Sequence, residues 1–136
     1  KIIIMLLFYP SIFFGQSNVI TEYWNNGNVL SQIHYKDRNR GGSCRTYYKS
    51  GAIMSEGFYK NGKMIGLWMT FYENGQQESG GVYKYNKSTL YSRKDGVWKY
   101  YYSSGVLESE SIIKDGVEEL KFYDKEGKTL PAGEGC

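Results

Sequence analysis

The sequence predicts an all-β protein built from small stacked units, and two observations lead to this prediction. A short motif recurs five times, in which two residues, usually aromatic, precede a polar turn that ends in glycine. The spacings between the motif glycines are 24, 24, 30 and 22 residues, and the glycines are Gly27, Gly51, Gly75, Gly105 and Gly127. A period of this size is typical of repeat architectures. The chain also contains 14 Tyr and 17 Gly but only 2 Pro in 136 residues, a composition that favours short strands and turns.

The segment before the repeats has a different composition. Lys1 is followed by an apolar run over residues 2–9 and, after Pro10, by a second short apolar stretch. A positive start, a short apolar core and small residues before a polar chain are typical of a secretory signal peptide, which we expect over residues 1–16. The run is too short and too interrupted for a membrane span. Since no cysteine directly follows it, the sequence predicts a secreted or periplasmic protein rather than a lipoprotein.

Residues 17–130 are predicted to form the repeat array, with four to five repeats, and residues 131–136 a short C-terminal tail. Each repeat is interpreted as two strands joined by the glycine turn, where a positive φ suits glycine. The first strand carries an apolar residue seven positions before the glycine and an aromatic residue at its end. The predicted repeat core consists of such residues and the turn glycines: Tyr23, Tyr47, Trp68, Phe71, Trp98, Tyr101, Phe122, Gly27, Gly51, Gly75 and Gly105.

The second strand of each unit has its own regularity, a serine four residues after the glycine. These serines are Ser31, Ser55, Ser79 and Ser109, and we expect them to form a small hydrogen-bonding stripe. Asn61-Gly62 and Asp95-Gly96 are predicted to form the turns that lead to the next unit. Because isolated hairpins are marginal in water, each unit is expected to bury its Trp and Tyr side chains against its neighbour.

The overall charge and the cysteines limit the classes of partner. The net charge is +3, and loss of Lys1 with the signal segment leaves +2. This mild value predicts no nucleic-acid binding. Cys44 and Cys136 could pair in an oxidising compartment, but they lie at opposite ends of the array, so a bridge would require the chain to fold back.

One stretch of the sequence resembles a known repeat family. Residues 62–75, which read Gly-Lys-Met-Ile-Gly-Leu-Trp-Met-Thr-Phe-Tyr-Glu-Asn-Gly, resemble the MORN repeat and, more closely, its bacterial variant. Residues 95–102 repeat the same signature, and the resemblance extends roughly from Ile20 to Leu130. It implies a twisted, elongated antiparallel sheet made of successive β-hairpins. Bacterial relatives are labelled YwqK-like antitoxins of toxin–antitoxin systems, and eukaryotic MORN proteins are linked to phospholipid or protein scaffolding. The matching positions are structural, so the resemblance assigns no functional residue.

The sequence offers few groups for catalysis or metal binding. His34 is the only histidine, and its place on a predicted strand favours a solvent-facing or cross-strand role. One His and two distant Cys do not make a Cys/His-rich zinc site. Glu56 and Glu110 share a repeat position, but two repeats separate them by roughly 19 Å, too far for a pair of catalytic carboxylates. We therefore predict no enzyme activity, no catalytic or metal-binding residue and no cofactor.

An insertion in the array is the most irregular feature of the sequence. From Tyr59 to Gly66 is seven residues, whereas from Tyr83 to Gly96 is thirteen. Insertions in repeat arrays map to loops, often on a binding face, and this one combines aromatic and cationic groups suited to recognition. The candidate binding loop contains Tyr85, Lys87, Tyr91, Arg93 and Lys94. The alternative is a neutral extension of a hairpin.

These observations together favour a non-catalytic secreted or periplasmic scaffold. Its expected partner is another protein, bound by the exposed sheet face and the candidate loop. Two alternatives stay open: an antitoxin-like protein that neutralises a cognate toxin, and a module that binds an envelope glycan or a lipid headgroup. The glycan alternative requires aromatic side chains that the core does not consume, and Tyr100 is the residue to examine. No integral membrane span is expected after cleavage of the signal segment.

Overall fold

The protein folds as one open antiparallel sheet in the computed structural model, which describes residues 18–36, 38–115 and 117–131. The predicted signal segment, most of the predicted tail and Cys136 lie outside the described residues. Nine strands follow one another in chain order across the sheet. Their bounds are β1 Asn18–Tyr23, β2 Val29–Lys36, β3 Asn39–Tyr47, β4 Ile53–Lys60, β5 Lys63–Phe71, β6 Gln77–Asn86, β7 Tyr91–Tyr101, β8 Leu107–Lys114 and β9 Val117–Phe122. The predicted all-β antiparallel sheet of hairpins is confirmed, and the described part of the chain contains no helix.

The turn motif joins the two strands of each hairpin at one end of the strands. We call this side of the sheet the turn-motif edge. In the central unit the Tyr72 amide donates to the Gln76 carbonyl, and the Gly75 amide donates to the Tyr72 carbonyl at 2.9 Å. The first, second and fourth turns repeat the same pair of bonds. The glycine has a φ of 84° in the central turn, a conformation that side chains with a Cβ rarely adopt. The repeated motif is therefore a repeated turn geometry.

The turns at the other end of the strands are less regular. We call this side of the sheet the long-hairpin edge. Asn61 and Gly62 turn between β4 and β5 with φ values of 50° and 74°, as the Asn-Gly pair predicts. The prediction of a turn at Asp95-Gly96 is wrong, because both residues lie inside β7. Gly96 has a φ of 70° at an irregularity in the pairing of β6 with β7, and the chain reverses earlier, at residues 87–90.

The core is a layer of aromatic side chains on one side of the sheet, which we call the aromatic face. Its rings meet edge to face, Tyr59 against Trp68 at 5.1 Å, Trp68 against Tyr83 at 6.3 Å and Tyr83 against Trp98 at 5.0 Å between centroids. Trp68 and Trp98 are buried. The β3–β4, β5–β6 and β7–β8 hairpins all contribute rings to this row, so the expected stacking of Trp and Tyr is confirmed for this part of the array.

Glycine opposite each of the two buried tryptophans leaves room for the indole ring. Gly57 and Gly81 pair with the strands that carry Trp68 and Trp98, and a Cβ on Gly81 would lie 2.4 Å from Cδ2 of Trp98. The rings are fixed by hydrogen bonds as well, since Nε1 of Trp98 donates to the Val82 carbonyl at 3.1 Å and Nε1 of Trp68 donates to the Phe58 carbonyl at 3.1 Å. Each glycine and the tryptophan that packs over it therefore form one packing unit.

A ladder of side-chain hydrogen bonds joins successive hairpins at the turn-motif edge. The second aromatic residue of each of the first four motifs donates from its side chain to a backbone carbonyl near the following motif. The four bonds are Trp24 to Tyr47 at 3.0 Å, Tyr48 to Phe71 at 2.8 Å, Tyr72 to Tyr101 at 2.8 Å and Tyr102 to Tyr123 at 3.2 Å. The ladder adds side-chain hydrogen bonds to the backbone pairing that already joins neighbouring hairpins.

The residues of the predicted repeat core differ in burial. Trp68 and Trp98 are buried, Tyr47, Phe71, Tyr101 and Phe122 are half-buried, and Tyr23 on the outer strand β1 is exposed. Gly27, Gly51, Gly75 and Gly105 all have positive φ. The serine stripe makes the expected bonds in three units, where Ser31 donates to Glu22 and Ser55 and Ser79 bond to threonines of the paired strand.

Candidate functional site

The candidate binding loop is mostly strand. β6 continues to Asn86 and β7 begins at Tyr91, so the six inserted residues lengthen a hairpin instead of forming a long loop. The tip is held by the Asn86 side chain, whose Oδ1 accepts from the Ser88 amide at 2.8 Å and the Thr89 amide at 3.2 Å. Leu90 completes the turn with a φ of 58°. Of the five candidate residues, Lys87 alone lies in the turn.

The other four candidate residues are divided between the two faces of the sheet. Because side chains alternate along a strand, Tyr85 and Lys94 share the aromatic face with Tyr83, whereas Tyr91 and Arg93 project from the opposite face. The pairing of Tyr83 with Lys94 and of Asn86 with Tyr91 follows this division. The five residues therefore do not converge on one binding site.

Lys94 is a structural residue. Its Nζ lies 4.4 Å from the centroid of the Trp98 ring and donates to the Tyr100 hydroxyl at 2.6 Å. A cation over an indole face is favoured by the ring quadrupole, so Lys94 covers the end of the aromatic row. Tyr100, the aromatic side chain that a glycan site could have used, is engaged in the same contact and is half-buried. Tyr91, by contrast, is 72% exposed.

The face opposite the aromatic row, which we call the open face, carries large apolar side chains that contact solvent. Phe58 on β4, Leu67 on β5, Val82 on β6 and Val97 on β7 are 53%, 51%, 44% and 46% exposed. Leu67 pairs with Val82, and Val97 pairs with Ile112 of β8, so these residues lie side by side across neighbouring strands. The sequence predicted an exposed sheet face as a binding surface, but none of these four residues was identified from it.

The signal for this surface was present in the sequence at two unexamined repeat positions. Seven residues after each turn glycine stand His34, Phe58, Val82 and Ile112, and eight before it stand Val19, Ser43, Leu67 and Val97. Both positions are mostly apolar. They alternate with the positions that form the aromatic core, so a strand with apolar residues on both faces was the available indication.

Charged side chains border the apolar residues on the open face. Toward the turn-motif edge, Arg45 pairs with Glu56 at 2.9 Å and Lys99 pairs with Glu110 at 3.3 Å. Six exposed cations lie toward the long-hairpin edge. They are Lys36, Lys60, Lys63, Lys84, Arg93 and Lys114. Lys84 pairs with Asp95 at 3.7 Å, and no other ion pair involves these cations among the described residues.

The groups that the sequence analysis considered for chemistry have structural partners. Nδ1 of His34 bonds to the Ser43 hydroxyl at 2.8 Å, the cross-strand role expected of it. A hydrogen bond from Tyr123 and a second from Lys99 lower the pKa of Glu110, while Glu56 is held by Arg45. Burial raises the pKa of the Cys44 thiol, which disfavours the reactive thiolate.

The described residues offer neither a cluster of metal ligands nor a membrane-spanning helix. No three His, Cys, Asp or Glu side chains in the described ranges lie close enough to hold a metal ion. Within the same ranges no helix is long and apolar enough to cross a membrane.

The comparison with protein families matches single hairpins of the sheet. The family described as MORN repeat variant matches residues 18–37, 40–61 and 94–115, which correspond to the β1–β2, β3–β4 and β7–β8 hairpins. No curated protein matches the chain. The β5–β6 hairpin lies outside the matched residues, yet its Trp68 makes the same carbonyl bond as Trp98 in the matched β7–β8 hairpin. The three matched hairpins are therefore MORN-variant repeats, and the unmatched β5–β6 hairpin shares their turn geometry and aromatic packing.

Proposed function

We propose that this chain is a non-catalytic scaffold that binds a protein partner through the open face of its sheet. The observation that carries the proposal is the set of four large apolar side chains, Phe58, Leu67, Val82 and Val97, which lie side by side and are each about half exposed. Large contiguous apolar surface is uncommon on soluble proteins and marks interaction sites. The buried core lies on the aromatic face, so the side chains of the open face are available to bind a partner.

The family and the chemistry of the chain support a binding role. MORN repeats are commonly modules that bind proteins or membranes, and they are generally non-catalytic. His34, Glu56 and Glu110 are engaged in cross-strand contacts with Ser43, Arg45 and Lys99. A rigid sheet with a half-exposed apolar surface suits recognition, because little conformational entropy is lost when a partner binds.

The long hairpin adds to the same surface. Tyr91 and Arg93 project from the open face, and Lys87 lies at the tip beside them. These three residues are the part of the candidate binding loop that we include in the proposed interface. Tyr85 and Lys94, on the aromatic face, are left out of it. An antitoxin role would be a special case of this binding, with a toxin as the partner.

We also propose that the chain is exported. The support is the apolar run over residues 2–9 after Lys1, which is typical of a signal peptide. Mass spectrometry of the protein recovered from periplasmic and culture fractions tests this proposal. An N-terminus near residue 16 or 17 in an exported fraction supports it, and an uncleaved protein confined to the cytosol contradicts it.

The experiment that tests the scaffold is affinity capture with matched variants, scored by the identity and amount of co-purified protein. A triple variant, Leu67→Thr/Val82→Thr/Val97→Thr, removes apolar surface from the open face while keeping a strand-favouring side chain. Val117→Thr is the control, since Val117 is 72% exposed but lies on the outer strand β9. The proposal predicts one partner recovered by the parent and the control and lost with the triple variant. Equal recovery by all three proteins would reject it.

A second variant tests the contribution of the hairpin. Lys87→Ala/Tyr91→Ala/Arg93→Ala removes the part of the hairpin on the open face, and Tyr85→Ala, on the other face, is its control. The proposal predicts weaker capture with the first variant and unchanged capture with the second. Capture that depends on Tyr85 and ignores the first variant would place the interface on the aromatic face.

A further inference from the structure

We infer that the partner's docking segment is an amphipathic helix with carboxylates along one flank of its apolar stripe. This inference rests on the proposed function and adds the chemistry of the partner to it. Three features of the open face carry it: the shape of the apolar row, the cations along one border, and the paired charges along the other.

The apolar row crosses the strands rather than following one of them. It consists of Phe58, Ile65, Leu67, Val82, Val97 and Ile112, which lie on five consecutive strands from β4 to β8. At ~4.8 Å between strands, the row is about 19 Å long. A helix of about 13 residues has this length, and its pitch of ~5.4 Å brings one apolar residue per turn close to each strand.

Two recesses flank Phe58 on the open face, where the row begins. A cavity of about 600 Å³ is lined by Phe58 and Ile65 together with Lys36 and Lys60. A second, of about 510 Å³, lies on the other side of Phe58 and is lined by Leu67 and Met69. Phe58 therefore separates two recesses that apolar side chains of a helix could fill, and Lys36 and Lys60 stand at the rim of the first recess.

The cationic border gives the partner its charge. Lys36, Lys60, Lys63, Lys84, Arg93 and Lys114 follow the row along its long-hairpin side, and all six are exposed. Lys60 and Lys63 are direct cross-strand partners, as are Lys84 and Arg93. Like charges directly opposite each other destabilise a sheet, so carboxylates from a partner would relieve repulsion as well as form new ion pairs.

The other border explains why the acidic flank lies on one side only. There the Arg45–Glu56 and Lys99–Glu110 pairs, at 2.9 Å and 3.3 Å, neutralise each other. A helix with carboxylates on both flanks would place one set beside Glu56 and Glu110. The surface therefore selects both the composition and the orientation of the bound helix.

A membrane surface fits the open face less well than a helix. The apolar row is one side chain wide across most of its length and has charged residues on both borders, whereas a membrane contact requires a broad apolar surface. Glu56, Glu110 and Asp95 on this face would also approach anionic lipid headgroups. The experiment below includes vesicles, so that this outcome is measured.

The test is a selection of binders from a displayed library of random 20-residue peptides against the purified protein. We expect selected peptides with apolar residues at helical spacing and Asp or Glu on one flank of the stripe. A fluorescein-labelled representative is then measured by anisotropy against four proteins: the parent, the triple Thr variant, a border variant Lys60→Gln/Lys84→Gln/Lys114→Gln, and a control Lys121→Gln/Lys125→Gln/Lys128→Gln. The control removes three exposed lysines near the end of the array.

The inference predicts at least tenfold weaker binding for the Thr variant and for the border variant, with unchanged binding for the control. Affinity for the parent should fall as salt rises from 50 to 500 mM, and the border variant should show a weaker salt dependence, because screening acts on the charges that it lacks. Peptides with reversed charge on the acidic flank should not bind. Circular dichroism of every variant verifies that the sheet is retained.

Three results would overturn the inference. They are the selection of peptides without an acidic flank, binding that ignores the border variant, and binding to phosphatidylglycerol vesicles in the absence of peptide binding. If the capture experiment still loses its partner with the triple Thr variant while no acidic peptide is selected, the proposed scaffold stands and this partner class is wrong. If capture ignores the open face, the scaffold proposal itself fails.

Discussion

Replacing Gly81 with alanine tests whether a buried tryptophan and the glycine opposite it form a structural unit, as the Gly57–Trp68 and Gly81–Trp98 pairs suggest. A Cβ at this position would lie 2.4 Å from Cδ2, 2.5 Å from Cε2 and 2.5 Å from Cγ of Trp98. These are ring atoms of a buried side chain whose Nε1 donates to the Val82 carbonyl at 3.1 Å. The ring must therefore move away from the sheet, and its hydrogen bond and its edge-to-face contact with Tyr83 move with it.

The expected loss of stability follows from three contributions. Overpacking a core typically costs about 2 kcal/mol, and losing the indole hydrogen bond costs about 1 kcal/mol. Replacing glycine restricts the unfolded chain and returns about 0.7 kcal/mol. The net free energy of unfolding should therefore fall by about 2 kcal/mol, which for a chain of this size lowers the melting temperature by about 8 °C.

Gly80→Ala is the matched control, one residue away on the opposite face. Its Cβ would lie 2.6 Å from Nε2 of Gln77, the far end of a side chain that can rotate away. Thermal and urea unfolding, followed by circular dichroism and tryptophan fluorescence, should show a large loss for Gly81→Ala and a small change for Gly80→Ala. In a Trp98→Leu background the cost of Gly81→Ala should shrink. Equal effects of the two glycine substitutions, or no coupling to Trp98, would refute the reasoning.

Three further predictions concern side chains with specific partners. Tyr72→Phe removes a 2.8 Å hydrogen bond from the ladder and should lower the unfolding free energy by about 1 kcal/mol in urea titrations. The hydrogen bond from Tyr123 is the largest influence on Glu110 and lowers the pKa of its carboxyl below the ordinary 4.5. The stabilisation that the ionised carboxylate contributes is therefore complete above pH 4.5 and is lost as the pH falls through the lowered pKa. The unfolding free energy of Glu110→Gln should accordingly fall less steeply with decreasing pH than that of the parent. Burial raises the pKa of Cys44, so in a Cys136→Ser variant Ellman's reagent should label the thiol slowly when folded and rapidly in urea.

Each of these predictions has a result that contradicts it. Tyr47→Phe is the control for the ladder, because the Tyr47 hydroxyl bonds to the Gln32 side chain at an exposed position. If Tyr47→Phe lowers the unfolding free energy as much as Tyr72→Phe does, the ladder bond has no special stabilising effect. An unchanged acid transition in Glu110→Gln would show that its bond to Tyr123 does not stabilise the fold. Labelling of folded Cys44 as fast as in urea would show that the core opens readily.

Much of the architecture could be predicted because each element is repeated. A single Asn-Gly or aromatic pair is a weak signal, but five turn glycines in register leave few other folds. The turn geometry at Gly75, the row from Tyr59 to Trp98 and the serine bonds depend on local sequence and on alternation along a strand, both of which are visible in the chain. The role of Gly57 and Gly81 was visible too, as a small residue six positions after the turn glycine, and was overlooked.

The candidate site was harder to predict, for reasons that concern pairing and exposure. The count of inserted residues revealed the long hairpin, but not that its strands continue to Asn86 and from Tyr91. That depends on a turn closed by Leu90 at positive φ, for which leucine gives no sequence signal. Phe58 and Val82 are apolar whether their face is covered or not, so the sequence alone does not distinguish a second buried layer from an open surface.

Site-specific photocrosslinking tests most directly whether the open face binds a partner while the aromatic face holds the sheet together. A benzophenone amino acid replaces Val82 on the open face or Leu120 on the aromatic face, positions that are 44% and 54% exposed. Irradiation in cells followed by mass spectrometry should yield one adduct with a protein at position 82 and none at position 120. The same adduct from position 120, with none from position 82, would contradict the account.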